Sequence, residues 1–277
     1  RVFEVLDRDP IIKDAPGAIT LPRQPRLLGL QDVVFGYREE TPILQGVSCT
    51  IEPGQMVAFV GESGVGKTTL LRMLAGLARP TSGTVELDGS VLGGPDRSVA
   101  IVFQDYGKAL LPWRTAAGNV SLALEARGCP AKERPAIIRE LLDKIGLGRH
   151  ADKYPSEMSG GMQQRLQIAR CLAQEPKVLL MDEPFGALDA MTRQALQDEV
   201  LALVATTGAT MVFVTHDLEE AIYLGDRIVC LQPNPGRIGR MVEVRLPRPR
   251  DQLVTREDPE FLRLRRELYD LIKDDHQ

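Results

Sequence analysis

Residues 61–68 read Gly61-Glu62-Ser63-Gly64-Val65-Gly66-Lys67-Thr68, a complete GxxxxGK[ST] phosphate loop. An apolar run, Met56-Val57-Ala58-Phe59-Val60, leads into it, and a helical pattern, Thr69-Leu70-Leu71-Arg72-Met73-Leu74, follows. Strand, loop and helix in that order are the context that gives the motif chemical meaning. Glycines let successive backbone N–H groups turn inward around an anion, and the helix N-terminus adds a partial positive charge. Lys67 is then expected to reach the β- and γ-phosphates, and the Thr68 hydroxyl to hold Mg²⁺. A glycine-rich surface turn that happens to contain a lysine needs neither the strand nor the helix. The sequence therefore predicts a nucleoside triphosphate site built from Gly61, Glu62, Ser63, Gly64, Val65, Gly66, Lys67, Thr68 and Thr69.

Further groups stand where apolar runs stop. Asp182 ends the run Val178-Leu179-Leu180-Met181, where a carboxylate is costly unless it faces a cation; that favours Mg²⁺ binding. Glu183 follows it at the strand's carboxyl end, where open α/β sheets place their ligands, and is read as the base that polarises an attacking water. His216 follows the run 211–215 and precedes Asp217-Leu218-Glu219-Glu220. By itself it reads as an ordinary histidine at a helix start; its place after a core strand points to a γ-phosphate contact. Met158-Ser159-Gly160-Gly161 opens a helix near Met162 and is a second anion-binding N-terminus.

The elements needed to hold these groups are legible as well. Runs 99–103, 178–181, 211–214 and 228–231 are continuously apolar rather than alternating. Strands covered on both faces require that, so a parallel sheet with helices on either side is expected. Alternating stretches, Leu30–Phe35 and Val47–Ile51, predict antiparallel strands around the phosphate loop. Residues 113–175 are mostly helical in pattern and long enough for a lobe of their own. A last amphipathic helix, about Asp258–Ile272, is expected to carry Phe261, Leu262, Leu264, Leu268 and Leu271 on one side. The organisation read from this is an arm or linker over 1–26, rich in Pro and charge, a nucleoside-triphosphate-binding domain over 27–245 and a helical tail over 246–277.

Composition removes other classes. A formal charge of −4 over 277 residues with mixed signs leaves no nucleic-acid footprint. Cys49, Cys129, Cys171 and Cys230 lie far apart with no metal-ligand spacing and read as packing residues in a reducing compartment. No apolar stretch approaches the ~20 residues that span a bilayer, so service to a membrane would run through partners.

Five motifs in order carry a family resemblance. Ser159-Gly160-Gly161-Met162-Gln163-Gln164-Arg165 resembles the signature loop of ATP-binding cassette (ABC) ATPases, Val178 to Pro184 their Walker B strand, and Ala187-Leu188-Asp189 their D-loop. Gln104 stands where their Q-loop glutamine belongs and His216 where their switch histidine belongs. The likeness runs from Leu27 to about Ile272. It implies a P-loop NTPase fold of ABC type: an α/β parallel-sheet core, an antiparallel β subdomain and an inserted helical lobe. It further implies ATP with Mg²⁺, Gln104 as catalytic group and metal ligand, and Tyr37 stacking on adenine, with Phe35 as the alternative stacker. The signature loop of one copy would close on the nucleotide held by a second copy, giving a two-fold ATP-sandwich dimer.

Within the family, Phe103 to Thr115 with Asn119-Val120, Phe185 to Arg193, Thr215 to Ala221, and the tail Leu246-Pro247-Arg248-Pro249-Arg250-Asp251 resemble importers for nitrate, sulfonate, taurine or bicarbonate. That implies a peripheral subunit on the cytoplasmic face of the inner membrane, paired with transmembrane permease subunits and, indirectly, an extracytoplasmic solute-binding protein. Leu110, Leu111 and Trp113 would lie where the permease docks and are expected to be partly exposed. Residues 1–23 instead resemble the connector that joins transmembrane helices to exporter cassettes. A cassette cut from an exporter-like or fused transporter is therefore the alternative, and a non-transport ABC ATPase the alternative from another class.

Overall fold

Gly66 lies where two sheets of different build approach each other. The computed structural model describes residues 26–38, 41–186 and 188–274; the expected arm, apart from Arg26, together with Ala187 of the D-loop motif and His276, falls outside them. In chain order the elements are β1 (Leu28–Phe35), β2 (Leu44–Ile51), β3 (Met56–Val60), α1 (Lys67–Leu74), β4 (Ser82–Leu87), β5 (Ser90–Val91) and β6 (Val99–Val102). Helices α2 (Tyr106–Ala109), α3 (Ala116–Ala126), α4 (Arg134–Lys144) and α5 (Gly160–Ala173) follow. The chain then returns through β7 (Val178–Asp182), α6 (Ala190–Thr207), β8 (Thr210–Thr215), α7 (Leu218–Leu224), β9 (Arg227–Gln232) and β10 (Arg237–Glu243), and closes with α8 (Val254–Glu257) and α9 (Pro259–Asp274).

The larger sheet has the order β10-β9-β3-β8-β7-β6, parallel except for β10. Strand β3 shows why its residues are all apolar. Met56, Ala58 and Val60 face a core shared with α5, α6, α7 and α9, while Val57 and Phe59 face a second core shared with α1 and the smaller sheet. Side chains alternate across a strand, so covering both faces buries all five. Each such burial is worth roughly 1.5–3 kcal/mol for a large side chain. The smaller sheet, β2-β1-β4-β5, is antiparallel throughout, as the alternating pattern predicts.

The stretch 113–175 contributes α3, α4 and α5 around a third core of Val120, Leu124, Leu142 and Leu166. Helix α5 faces two ways. Leu166, Ala169 and Ala173 pack into the lobe, whereas Ile168 and Cys171 pack under the large sheet. All four cysteines are buried free thiols.

Two expectations need correction, and one strand went unread. Strand β10 was not legible, because Arg237, Gly239, Arg240 and Glu243 leave Val242 as its one fully buried residue; charge on an edge strand blocks unwanted pairing. In α9, Phe261, Leu264 and Leu268 are buried at i, i+3 and i+7, but Leu262, one step round the helix, is exposed. Leu110 is only 2% exposed and belongs to the lobe core, while Trp113 is 71% exposed.

Candidate functional site

The phosphate loop turns at glycines that no other residue could replace. Gly66 has φ 102° and caps α1; a Cβ there would stand 2.8 Å from Leu44 Cδ2. At Gly61, with φ 153°, a Cβ would meet the Leu231 carbonyl oxygen at 2.7 Å. Both the sign of φ and the close approach of β2 and β9 therefore require glycine.

Lys67 begins α1 and bends back across the loop. Its Nζ donates to the Gly61 carbonyl at 2.6 Å and the Glu62 carbonyl at 2.8 Å. Burial pushes its pKa down, while the carboxylates of Glu183, Asp182 and Glu62 pull it up. A nearly buried cation inside a ring of backbone amides suits a polyanion.

Next to it, the Thr68 hydroxyl donates to Asp182 Oδ1 at 3.1 Å. Burial raises the Asp182 pKa, with a further push from Glu183; the Thr68 hydroxyl, Arg72 and Lys67 oppose it. Among the described residues no cluster of three or more His, Cys, Asp or Glu could hold a metal by itself. A hydroxyl with a single carboxylate is a hard, oxygen-only donor set, and it fits Mg²⁺, which keeps waters and phosphate oxygens in the rest of its shell.

Glu183 leaves β7 with φ 45°, sparsely populated for a residue with a side chain, and its N–H donates to the Val214 carbonyl at 3.0 Å on β8. That turn aims the carboxylate between two partners. Gln104 Nε2, just past β6, donates to Glu183 Oε2 at 2.9 Å, and His216 Nδ1, just past β8, stands 3.4 Å from Oε1. Three carboxyl ends of parallel strands thus bring Gln104, Glu183 and His216 together. A carboxylate held on one oxygen by Gln104 and facing His216 with the other can orient a water and take its proton.

The other expected residues lie in the loop after β1, in the phosphate loop and at the starts of α1 and α5. Ser159 caps α5, its Oγ accepting from the Met162 N–H at 3.3 Å. A Cβ on Gly161 would lie 2.9 Å from Leu188 Cδ2, so this helix start packs against the D-loop. Gly160 forms the first residue of α5. Tyr37 is 68% exposed and meets Phe35 edge to face, with ring centroids 5.1 Å apart; Phe35 itself is half-buried against the second core. Thr69 is buried in the first turn of α1, and Ser63, Gly64 and Val65 complete the loop.

Sequence reasoning missed the residues that tie these loops together. Gln164, buried on α5, donates to the Pro184 carbonyl and so fastens the signature helix to the turn after Glu183. Asp217 caps α7, accepting from the N–H groups of Glu219 at 2.9 Å and Glu220 at 3.1 Å. Arg250, in the tail, donates to the carbonyls of Ile222, Tyr223 and Gly225 at 3.2, 2.7 and 2.9 Å and caps the far end of α7. The one sequence signal for that cap was an arginine within the Pro-rich run 246–251.

The family model for the ABC transporter matches residues 44–186. The chain is 48% identical over 235 residues to the nitrate import ATP-binding protein NrtC of Synechococcus elongatus, covering 83% of this chain and 35% of that one. It is 44% identical to the aliphatic sulfonates import ATP-binding protein SsuB 1 of Xanthomonas axonopodis pv. citri, covering 81% of this chain and 89% of that one. Among solved structures, the ATP-binding cassette MJ0796, as a dimer in a post-hydrolysis state bound to ADP and Pi, superposes with a TM-score of 0.71 at 33% identity, over 79% of this chain and 99% of that one.

Proposed function

The chain belongs to the ABC transporter family, and from that premise we propose that it binds and hydrolyses ATP to energise a membrane importer for a small anion such as nitrate, sulfonate, taurine or bicarbonate. The observation that carries the reading is the Glu183 carboxylate, held by Gln104 on one oxygen and facing His216 on the other, directly after Asp182. The ATPase domain spans 27–245, with the helical lobe at about 113–175, between the arm at 1–26 and the helical tail at 246–277.

In this assignment the amides of residues 61–69 and Lys67 hold the phosphates, and the exposed ring of Tyr37 stacks on adenine. Thr68, Asp182 and Gln104 would hold Mg²⁺, which when bound would supply charge neutralisation at the transferred phosphoryl group. Glu183 orients the attacking water and accepts its proton. Gln104 and His216 keep that carboxylate aimed, and His216 contacts the γ-phosphate. Ser159, Gly160 and Gly161 serve the nucleotide of a second copy in a sandwich dimer, in line with the dimeric neighbour. No described helix is long and apolar enough to cross a membrane. By likeness to the importers' ATP-binding proteins, the subunit works from the cytoplasmic face of the inner membrane through permease subunits, with an extracytoplasmic binding protein upstream of them.

A second reading, a cassette that is one part of a longer or fused chain, is favoured by NrtC, of which this chain spans 35%. One experiment addresses both. The gene is expressed with its flanking sequence, the subunits that co-purify are identified, and ATPase activity is measured in vesicles with and without each candidate anion. Solute-stimulated hydrolysis that requires a separate permease supports the importer subunit. A single polypeptide carrying its own membrane helices supports the fusion, and hydrolysis indifferent to any membrane partner sinks both.

A further inference from the structure

Glu220 is an ionisable side chain, 4% exposed, one turn into the helix that begins beside His216. Its Oε1 accepts from Gln197 Nε2 on α6 at 3.3 Å, and its Oε2 accepts from the Thr215 hydroxyl at the end of β8. The same Thr215 oxygen accepts the Asp217 N–H at 3.0 Å, so Glu220 and the residue after His216 share one hydroxyl. A cavity of about 60 Å³, room for one or two waters, is lined by Glu183, Phe185, Arg193, His216, Asp217 and Glu220. The buried carboxylate and the site's water-orienting carboxylate therefore open onto one space.

The charged groups facing Glu220 do not neutralise it. Asp217, on its own helix, repels it, while Arg193 of α6 attracts it from a distance and stands 3.8 Å from Asp217. Burial is the largest influence and pushes its pKa up to about 7, against the Thr215 and Gln197 hydrogen bonds. Glutamine has the same shape and could satisfy both Thr215 and Gln197 without the cost of a buried charge.

We propose that Glu220 is a positioning residue for hydrolysis, whose ionised carboxylate fixes the Thr215–Asp217 turn and through it holds His216 against Glu183. The proposal rests on the ATPase reading above. When Glu220 is ionised, the Thr215 hydrogen points at the carboxylate and a Thr215 lone pair is free for the Asp217 N–H. When Glu220 is protonated, its own hydrogen points at Thr215. The Thr215 oxygen then accepts from both Glu220 and the Asp217 N–H, which fills its two lone pairs, and the charge-assisted bond that fixed the turn gives way to a weaker neutral one. Hydrolysis is therefore expected to rise as pH rises through about 7.

Stability runs the opposite way. A carboxyl whose folded pKa lies above its unfolded value binds more protons in the native state. Its contribution to stability is full below the unfolded pKa and is lost as pH rises through the folded one. Glu220→Gln abolishes that loss.

The test compares the wild-type chain with Glu220→Gln by thermal melting and single-turnover ATP hydrolysis between pH 5 and 8.5. His216 lines the same cavity and is retained in both proteins, so the difference between their profiles isolates Glu220. The expected result at pH 8 is a higher melting temperature for Glu220→Gln, with the gap closing toward pH 5. Hydrolysis at pH 8 should fall roughly 10- to 100-fold, the range for a misplaced catalytic group, with unchanged ATP affinity and without the inflection near pH 7 expected of the wild type. Hydrolysis equal to wild type at every pH would make Glu220 a core residue only. A variant that melts earlier or fails to fold would make the carboxylate structural. Wild-type chain that hydrolyses no ATP, or does so equally well as Lys67→Ala, would overturn the ATPase reading instead.

Discussion

Gln104 and Glu183 lie 79 residues apart in sequence and meet at the ends of adjacent parallel strands, the amide donating to Glu183 Oε2 at 2.9 Å. The contact makes the glutamine a direct reporter of the carboxylate's position, because a shift of either strand end breaks it.

Replacing Glu183 by Gln removes the proton acceptor and leaves a side chain of the same size for Gln104 to meet. Single-turnover hydrolysis should fall roughly 10²–10⁴-fold, the range for loss of a general base, while ATP binding persists. The ATP-bound state is then no longer consumed, so dimer should accumulate with ATP in size-exclusion chromatography. Turnover at the wild-type rate would remove Glu183 from the role.

Lys67 makes its two hydrogen bonds to the carbonyls of Gly61 and Glu62, so it braces the loop as well as presenting charge. Lys67→Ala should weaken ATP by roughly 1.5–3 kcal/mol, the scale of a hydrogen bond to a charged group, and leave adenosine almost untouched. Competition binding with both ligands checks this. Equal losses for the two would mean that the lysine acts only by shaping the loop.

Tyr37 is exposed and Phe35 half-buried, which favours Tyr37 as the stacker between the two that the sequence left open. Phe35 is half-buried against the second core and presents its ring to an exposed Tyr37. Tyr37→Ala should therefore cost roughly 1–3 kcal/mol in binding both ATP and adenosine, the range for a base–aromatic stack, without lowering the melting temperature. Phe35→Ala should destabilise the fold. Unchanged nucleotide affinity in the Tyr37 variant would end its assignment as the stacker.

How far the sequence could be read follows from what each residue must satisfy locally. Strand β3 was legible because burial on both faces demands five apolar residues in a row, and the loop after it because Gly66 and Lys67 are fixed by backbone and charge. Strand β10 was not, since an edge strand pairs through its backbone and its side chains carry charge. Glu220 looked like one of several acids at a helix start; only the packing of α6 across α7 buries it. Arg250 read as part of a charged tail, and the carbonyls it caps lie 25–28 residues upstream. Long-range partners of polar residues leave no periodic trace, whereas apolar patterns do.

Trp113 is a large apolar side chain, 71% exposed, that the lobe offers from a braced loop. Leu110 anchors the loop in the lobe core, and Asn119, fully buried, staples it. Asn119 Oδ1 accepts the Leu111 N–H at 2.9 Å, while Nδ2 donates to the carbonyls of Leu111, Arg114 and Thr115 at 3.1, 3.0 and 3.1 Å. An exposed tryptophan on a braced loop suits an interface anchor, because the backbone is already ordered and only two side-chain torsions remain to be fixed on docking. As the chain's single tryptophan, its fluorescence reports directly: acrylamide should quench it readily in the isolated protein and poorly once the permease is bound. Trp113→Ala should change stability by no more than about 0.5 kcal/mol, as for an exposed site, and leave ATP binding intact while uncoupling hydrolysis from transport. Asn119→Ala should destabilise the lobe by several times that, because it strands the Leu111 N–H and the Arg114 carbonyl of the loop, while the Leu111 and Thr115 carbonyls keep the backbone N–H groups of Arg114 and Asn119. A Trp113 that resists quencher in the free chain, or a Trp113→Ala transporter that still couples, would remove the docking role.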